Sequence, residues 1–221
     1  MKALDRKLLR DLRRMWSQAL TIALVVASGI GGFVTTLSAV DSLAAARDSF
    51  YAEGRFADIF AGVKRAPQAL AETLREIAGV ADVQTTTEAI VRIEIPGVSD
   101  PIIGQLIGID RRAPHRMNLV TLSSGQALDP GDAPRGDGAI AALVSEGFAQ
   151  ARGLNPGATL GVLMNGRQRL LRIVGTALSP EFIFAGLWGM PDLRGFGVFW
   201  VDREALDAAY DMKGAFNRVA V

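Results

Sequence analysis

An uncharged stretch of 26 residues, Met15–Val40, restricts how this chain can fold more than any other feature of its sequence. About 20 apolar residues in a helix span the ~30 Å hydrocarbon core of a bilayer, so this stretch is long enough to cross it with some tilt. Trp16 lies at its first boundary, where an amphipathic ring is favoured. We therefore predict a transmembrane helix over residues 15–40.

Two other interpretations of this stretch stay open. A cleaved signal peptide has a shorter basic region and an apolar region of about 7–15 residues. Only Ser38–Ala46 offers the small residues that a cleavage site needs. A buried core helix would need an apolar shell around it, and no other part of the chain is apolar enough to provide one. The sequence favours the membrane span over both alternatives.

Basic residues are concentrated before the predicted span. Residues 1–14 have a net charge of +4, which leaves −3 for the rest of a chain whose total is +1. Cations beside a span keep that end in the cytoplasm, so we predict that residues 41–221 lie outside the cell or in the periplasm. Because the folded part lacks a spread basic surface, we expect no nucleic-acid partner.

Residues 1–14 also predict an amphipathic helix, since Leu4, Leu8 and Leu12 recur at helical spacing among cations. One interpretation places this helix on anionic lipid, where each basic residue contributes about 1 kcal/mol. The other is contact with a cytoplasmic protein, and the sequence alone favours the lipid. The cations available for a protein contact are Arg6, Arg10, Arg13 and Arg14.

Four small residues lie in the middle of the predicted span: Ala27, Ser28, Gly31 and Gly32. They form two pairs spaced four apart, and such pairs let two helix backbones approach closely. Membrane helices also tolerate glycine without any partner. The concentration of small residues nevertheless favours packing against another helix.

Beyond the span we predict a helical stalk over residues 41–57, because Asp41–Glu53 lacks Pro and Gly and Gly54 can end the helix. Residues 58–221 alternate between strand and helix periodicity, which predicts an α+β class and a mixed α/β core domain with two lobes. A helix is expected to begin at Pro67, and Asn165-Gly166 predicts a tight hairpin turn. The loop-rich segment near 111–138 is the predicted lobe boundary.

No sequence motif in the chain indicates catalysis or a cofactor. There is no cysteine, no phosphate-binding GxxxxGK[ST] loop and no GxSxG elbow. His115 is a lone histidine in a loop and cannot supply a three-ligand zinc site. Aspartates 129, 132 and 137 lie in predicted turns, where Asp commonly bonds the backbone, and a loop calcium site is the less favoured alternative.

The aromatic segment between residues 182 and 200 has two interpretations. It can pack as core or between lobes, which the sequence favours, or it can form an exposed apolar surface for a partner or a hydrophobic ligand. The residues available for such a surface are Phe182, Phe184 and Trp188.

The chain resembles the permease subunits of ABC transporters of the MacB/FtsX type. The resemblance is carried by LDRKLLRDLRRMWSQALTIALVVASGIGGF (Leu4–Phe33), LVSEGFAQARGLNPGATLGV (Leu143–Val162), RIVGTALSPEFIF (Arg172–Phe184) and GVFWVDREALDAAYDMKGAFNRVAV (Gly197–Val221). Together these segments extend over essentially the whole chain. Each is a diffuse match, and none is a catalytic signature.

That resemblance implies a bacterial inner-membrane protein without enzymatic activity of its own. A separate ABC ATPase subunit would bind the basic helix 1–14, and the stalk would transmit motion to a periplasmic domain that exports or extracts a hydrophobic or lipid-linked substrate. The span would pack against the rest of the permease or a second permease copy, within the lipid bilayer. Because such permeases have at least four spans, the chain is expected to be a fragment rather than a truncated relative. The alternative is a self-sufficient, single-pass anchored binding or adaptor module.

Overall fold

The computed structural model describes residues 3–98, 100–111, 116–128, 138–183, 186 and 190–221. It begins with two helices, α1 (Ala3–Arg14) and α2 (Trp16–Glu53). Within the described residues, α2 is the one helix long and apolar enough to cross a membrane, with a mean hydropathy of 2.0 over its apolar part. No residue of α2 is buried. Its last residue, Glu53, directly precedes Gly54, the residue that is predicted to end the helix.

Polar side chains in the apolar part of α2 bond within the helix itself. The hydroxyl groups of Thr21, Ser28 and Thr36 each donate to a backbone carbonyl three or four residues earlier, at 2.9 Å. The bilayer core offers no water to such groups, so internal partners are what a spanning helix requires. These hydroxyls are therefore compatible with hydrocarbon around the helix.

The chain divides into two units, Met1–Phe50 and Tyr51–Val221. After the last turn of α2, the second unit contains β1 (Phe60–Pro67), α3 (Leu70–Arg75), β2 (Gln84–Thr86), β3 (Glu88–Glu94), β4 (Ile102–Ile109), β5 (Thr121–Gly125), β6 (Ile140–Ser145), α4 (Glu146–Arg152), β7 (Thr159–Met164), β8 (Arg167–Leu178), a 3-10 helix (Pro180–Phe182), β9 (Phe196–Asp202), α5 (Arg203–Tyr210) and β10 (Ala215–Ala220). The α+β class and the single long apolar helix at the N-terminus are confirmed.

Six strands of the second unit close into a barrel. The larger sheet has the order β5-β8-β6-β9-β4-β3-β7, and β7 also pairs with β8. The ring therefore runs β8-β6-β9-β4-β3-β7 and returns to β8. Strand β5 lies outside the ring and pairs with the C-terminal residues of β8. Closure leaves the six barrel strands without a free edge along the paired residues.

Alternate residues of the barrel strands point inward and form the main core. Strand residues such as Leu106, Val144 and Phe199 are fully buried there, and α4 and α5 add Phe148 and Leu206. Phe148 lies edge-on to Phe199 with ring centroids 5.6 Å apart. Burial of side chains of this size contributes about 1.5–3 kcal/mol each, so the barrel interior is the principal source of stability in this unit.

Two smaller cores lie outside the barrel interior. The first covers the outer face of β4, β6 and β9, where Trp200 is buried and Phe182 packs from the 3-10 helix. The second belongs to a three-stranded sheet with the order β1-β10-β2, and it contains Ala71 of α3 and Phe216 of β10. The small sheet thus has a core of its own beside the barrel.

Side chains of α5 and β10 join the small sheet to the barrel. The amide of Asn217 accepts from the backbone N–H of Glu88 at 2.8 Å and donates to its carbonyl at 2.7 Å. Arg203 donates to the carbonyls of Thr85 and Ala215, at 3.0 and 3.2 Å. These bonds fix the two sheets to each other within the second unit.

One local prediction is confirmed, and another is wrong. The turn Asn165-Gly166 has φ values of 45° and 75°, as a type I′ hairpin requires. Pro67 does not begin a helix. It ends β1 opposite Ala215, because pairing with a distant strand overrides the local helix signal. The predicted lobe boundary near 111–138 stays a prediction, and strands from both sides of it pair in each sheet.

Candidate functional site

The small-residue face of α2 is open along its length. A Cβ atom built on Gly31 or Gly32 meets no atom within 4 Å outside the helix's own backbone. Ser28 keeps its hydroxyl on the carbonyl of Val25, so it presents little polarity to a neighbour. Together with Ala27, these residues offer a smooth surface on which a second helix can approach closely. Their role in helix packing stays a prediction.

The cations and leucines of α1 whose side chains the structure describes are exposed. Arg10, Arg13 and Arg14 are exposed, whereas the side chain of Arg6 lies outside the described part of the structure. Leu8 and Leu12 are also exposed. Exposed leucines beside cations suit an interfacial helix or a helix that docks on a protein, so both interpretations of α1 stay open.

The predicted aromatic surface is described only at Phe182. This ring is half-buried and lies edge-on to the buried Trp200, with centroids 6.2 Å apart. Phe182 therefore packs on the outer core, as the favoured interpretation of the segment expects. Phe184 and Trp188 lie outside the described residues, and a partner surface there stays a prediction.

The other polar candidates from the sequence also lie outside the described residues. They are His115, Asp129, Asp132 and Asp137. Among the residues that the structure does describe, no group of three or more His, Asp or Glu side chains is placed to hold a metal ion.

The junction after α2 contains a residue that sequence reasoning missed. The buried side chain of Asn118 accepts a hydrogen bond from the backbone N–H of Ala57 at 3.1 Å. The backbone N–H groups of Asn118 and Leu119 donate to the carbonyls of Arg55 and Gly54, both at 2.9 Å. Three hydrogen bonds thus hold the four residues that follow α2. Asn118 has φ 50°, which Asn adopts more readily than most residues, but a single Asn in a loop is too weak a signal to identify it.

A row of aromatic rings lies beside this junction. Tyr51, in the last turn of α2, stacks on Phe56 with centroids 4.8 Å apart, and Phe56 is 5.4 Å from Phe60. The guanidinium carbon of Arg218 lies 5.1 Å from the centroid of Phe60. The row therefore connects the end of α2 to the small sheet by direct contact within the second unit.

Among the solved structures similar to this chain are an extracellular domain and a periplasmic region. The chain is similar to the extracellular domain of the noncanonic ABC-type transporter YknZ from Gram-positive bacteria, with a TM-score of 0.43 and 13% identity over 71% of this chain and 72% of that one. It is also similar to the periplasmic region of MacB from Actinobacillus actinomycetemcomitans, with a TM-score of 0.42 and 15% identity over 69% of this chain and 62% of that one.

No family model matches the chain, and no curated protein matches it.

Proposed function

We propose that this chain acts as the N-terminal part of an ABC transporter permease subunit. The observation that carries the proposal is α2 itself. One helix contains the apolar span, has four small residues on one face of it and continues to Glu53. An anchor that faced only lipid would have no need of a smooth, glycine-rich face in mid-membrane.

In this proposal the chain couples a partner to work outside the membrane and catalyses nothing itself. The basic helix α1 lies on the cytoplasmic side, as its flanking charge favours, and Arg6, Arg10, Arg13 and Arg14 contact an ABC ATPase subunit. Movement of the span reaches the second unit through the Gly54–Ala57 segment that Asn118 holds. The substrate class is hydrophobic or lipid-linked, and its export or extraction is driven by the ATPase.

The small-residue face gives a direct test, since the chain has no cysteine of its own. A single Gly31→Cys substitution in native membranes, treated with a short crosslinker that is thiol-reactive at one end and photoreactive at the other, should become joined to a neighbouring helix. With an added oxidant, a disulfide should form where a second copy of the chain places the same cysteine opposite. Phe33→Cys is the matched control, because residue 33 lies about 200° around the helix from residue 31. We expect crosslinking at Gly31 and little at Phe33.

The crosslinked product separates the proposal from its alternative. A product with another membrane segment of a transporter supports the permease, and a product with a second copy of this chain supports a paired permease. Equal, weak crosslinking at both positions would favour a self-sufficient anchored binding or adaptor module.

Contact with an ATPase is tested by neutralising α1. Arg10→Gln, Arg13→Gln and Arg14→Gln together should abolish co-purification of an ATPase while the chain stays in the membrane. Lys64→Gln, in the folded unit, is the control for loss of a cation. Retention of the ATPase, combined with weaker binding to anionic vesicles, would assign α1 to lipid instead.

A further inference from the structure

A single guanidinium is shared by two carboxylates where the small sheet meets the barrel. Arg218 of β10 donates from Nη1 to Glu88 at 2.9 Å and from Nη2 to Glu181. Glu88 begins β3, and Glu181 lies in the 3-10 helix after β8. The side chains are 23%, 16% and 14% exposed for Arg218, Glu88 and Glu181, so little water screens them. Three separate elements thus meet at one charge cluster.

The cluster contains one carboxylate more than it has cations. Among the described residues, Arg218 and Glu88 are the charged groups that act on Glu181. A cavity of about 10 Å³ beside them is otherwise lined by uncharged residues of β2, β4, β9, β10 and the loops before β5 and after β8. With both carboxylates ionised, the cluster holds a net charge of −1 in a poorly hydrated place, which is costly. One added proton makes the cluster neutral.

The environment of Glu181 favours that proton. Burial, with a smaller contribution from the neighbouring Glu88, raises the pKa of Glu181 to about 7 against the attraction of Arg218. The folded state therefore binds this proton more tightly than the unfolded state, where the pKa is 4.5. The resulting stabilisation is complete below pH 4.5 and is lost as pH rises through about 7.

We propose that Glu88, Glu181 and Arg218 form a proton-sensitive clasp between the small sheet and the barrel. The clasp is neutral and closed when it holds one extra proton, and it loosens when that proton leaves. The inference does not depend on the proposed transport function, since it rests on the charge cluster alone.

Loosening of the clasp has a defined structural consequence. Phe182 follows Glu181 directly and lies edge-on to Trp200 in the outer core. Ionised Glu181 is attracted to Arg218, but its lost hydration outweighs that attraction, which favours a movement of the 3-10 helix that returns Glu181 to water and lifts Phe182 from Trp200. Protonation of one carboxylate thereby controls whether part of the aromatic segment packs on the barrel or faces solvent.

The first experiment measures the titration of Glu181 in the full chain, held in neutral detergent micelles and labelled with ¹³C at the glutamate carboxyl groups. Glu181→Gln removes the Glu181 resonance, and Glu181→Asp assigns it independently if the Gln variant does not fold. We expect a midpoint close to pH 7. A midpoint in the ordinary carboxyl range would overturn the proposal.

The second experiment measures the unfolding equilibrium of the same preparation between pH 5 and pH 8. The wild type should lose roughly 50- to 100-fold in its folding equilibrium constant over this range. Glu181→Gln should abolish the loss, whereas Glu72→Gln, at an exposed surface carboxylate, should retain it. An undiminished pH dependence in Glu181→Gln would contradict the clasp.

The third experiment tests that the three groups act as a cluster. Glu88→Gln leaves Arg218 to Glu181 alone and removes a repulsive charge. The Glu181 midpoint should therefore move to lower pH, toward the ordinary carboxyl value. An unchanged midpoint in Glu88→Gln would show that Glu181 titrates on its own, and the shared clasp would be wrong.

Discussion

Phe33 in α2 has 66% of its surface exposed, whereas Phe199 in the barrel has none. The same contrast holds for glycine. A Cβ atom at Gly31 meets empty space, but one at Gly197 would come within 2.8 Å of the Phe199 ring. The barrel thus satisfies its apolar side chains from within the chain, and α2 depends on its surroundings to do so. The fold of the second unit is therefore determined by contacts within the chain, whereas α2 makes its contacts with the molecules around it.

The largest expected difference comes from the same substitution, Phe to Ala, made once in each of the two regions. Phe199→Ala should destabilise the second unit by about 3–5 kcal/mol, because it leaves a cavity in a closed core. Phe33→Ala should leave the unfolding of that unit unchanged. Guanidinium titration of the full chain in detergent, followed by near-UV circular dichroism, measures both. A similar loss of stability in both variants would contradict the distinction between the two regions.

A second pair of variants adds a methyl group instead of removing a ring. Gly197→Ala should cost about 1–3 kcal/mol, since the new methyl collides with the rings of Phe148 and Phe199. Gly31→Ala should not affect the folded unit, but it should weaken the crosslinking of a cysteine placed on the same face by Ala27→Cys. Measured together, unfolding and crosslinking assign each glycine to an internal or an external neighbour.

Asn118 tests the junction between the two kinds of region. Asn118→Ala should destabilise the second unit by about 2 kcal/mol, since it leaves the Ala57 N–H without its partner and strains a backbone at positive φ. Asn118→Gly removes the same hydrogen bond but tolerates that φ, so its loss should be smaller. Equal losses would show that the backbone conformation contributes nothing.

The smallest effect is expected at an exposed ion pair on the folded unit. Arg75 donates to Glu72 at 2.6 Å, but the Glu72 side chain is 75% exposed. Glu72→Gln should therefore change stability by less than about 0.5 kcal/mol. A larger loss in the same titration would mean that surface pairs, and not only buried side chains, stabilise the second unit.

Features that depend on nearby residues were predictable from the sequence. The long apolar helix, strand β4 and the Asn165-Gly166 turn each follow from residues within a few positions of one another. Helix α4 likewise lies between Ser145 and Gly153, and the φ of 64° at Gly153 is the conformation that a glycine after a helix commonly adopts. Local propensity decides such elements because their hydrogen bonds are local.

Features that depend on distant pairing were not predictable. Barrel closure requires β7 to pair with both β3 and β8, and no local pattern specifies the first of these partners. Strand β5 is exposed throughout, so it lacks the alternation that marks a strand. The charge cluster shows the same limit, because Arg218 and Glu88 are 130 positions apart in the sequence. A single sequence contains no signal for that contact.

The position of β10 also determines when the small sheet can form during synthesis. It is the last strand in chain order, yet it lies between β1 and β2, which are among the first. During synthesis these early strands must wait for their partner with unpaired edges, the condition under which nascent chains aggregate. Strand β1 carries Lys64 and Arg65 beside an irregularity between Gly62 and Ala66. Charges and bulges of this kind discourage pairing with foreign strands, so β1 carries protection for the interval before β10 arrives.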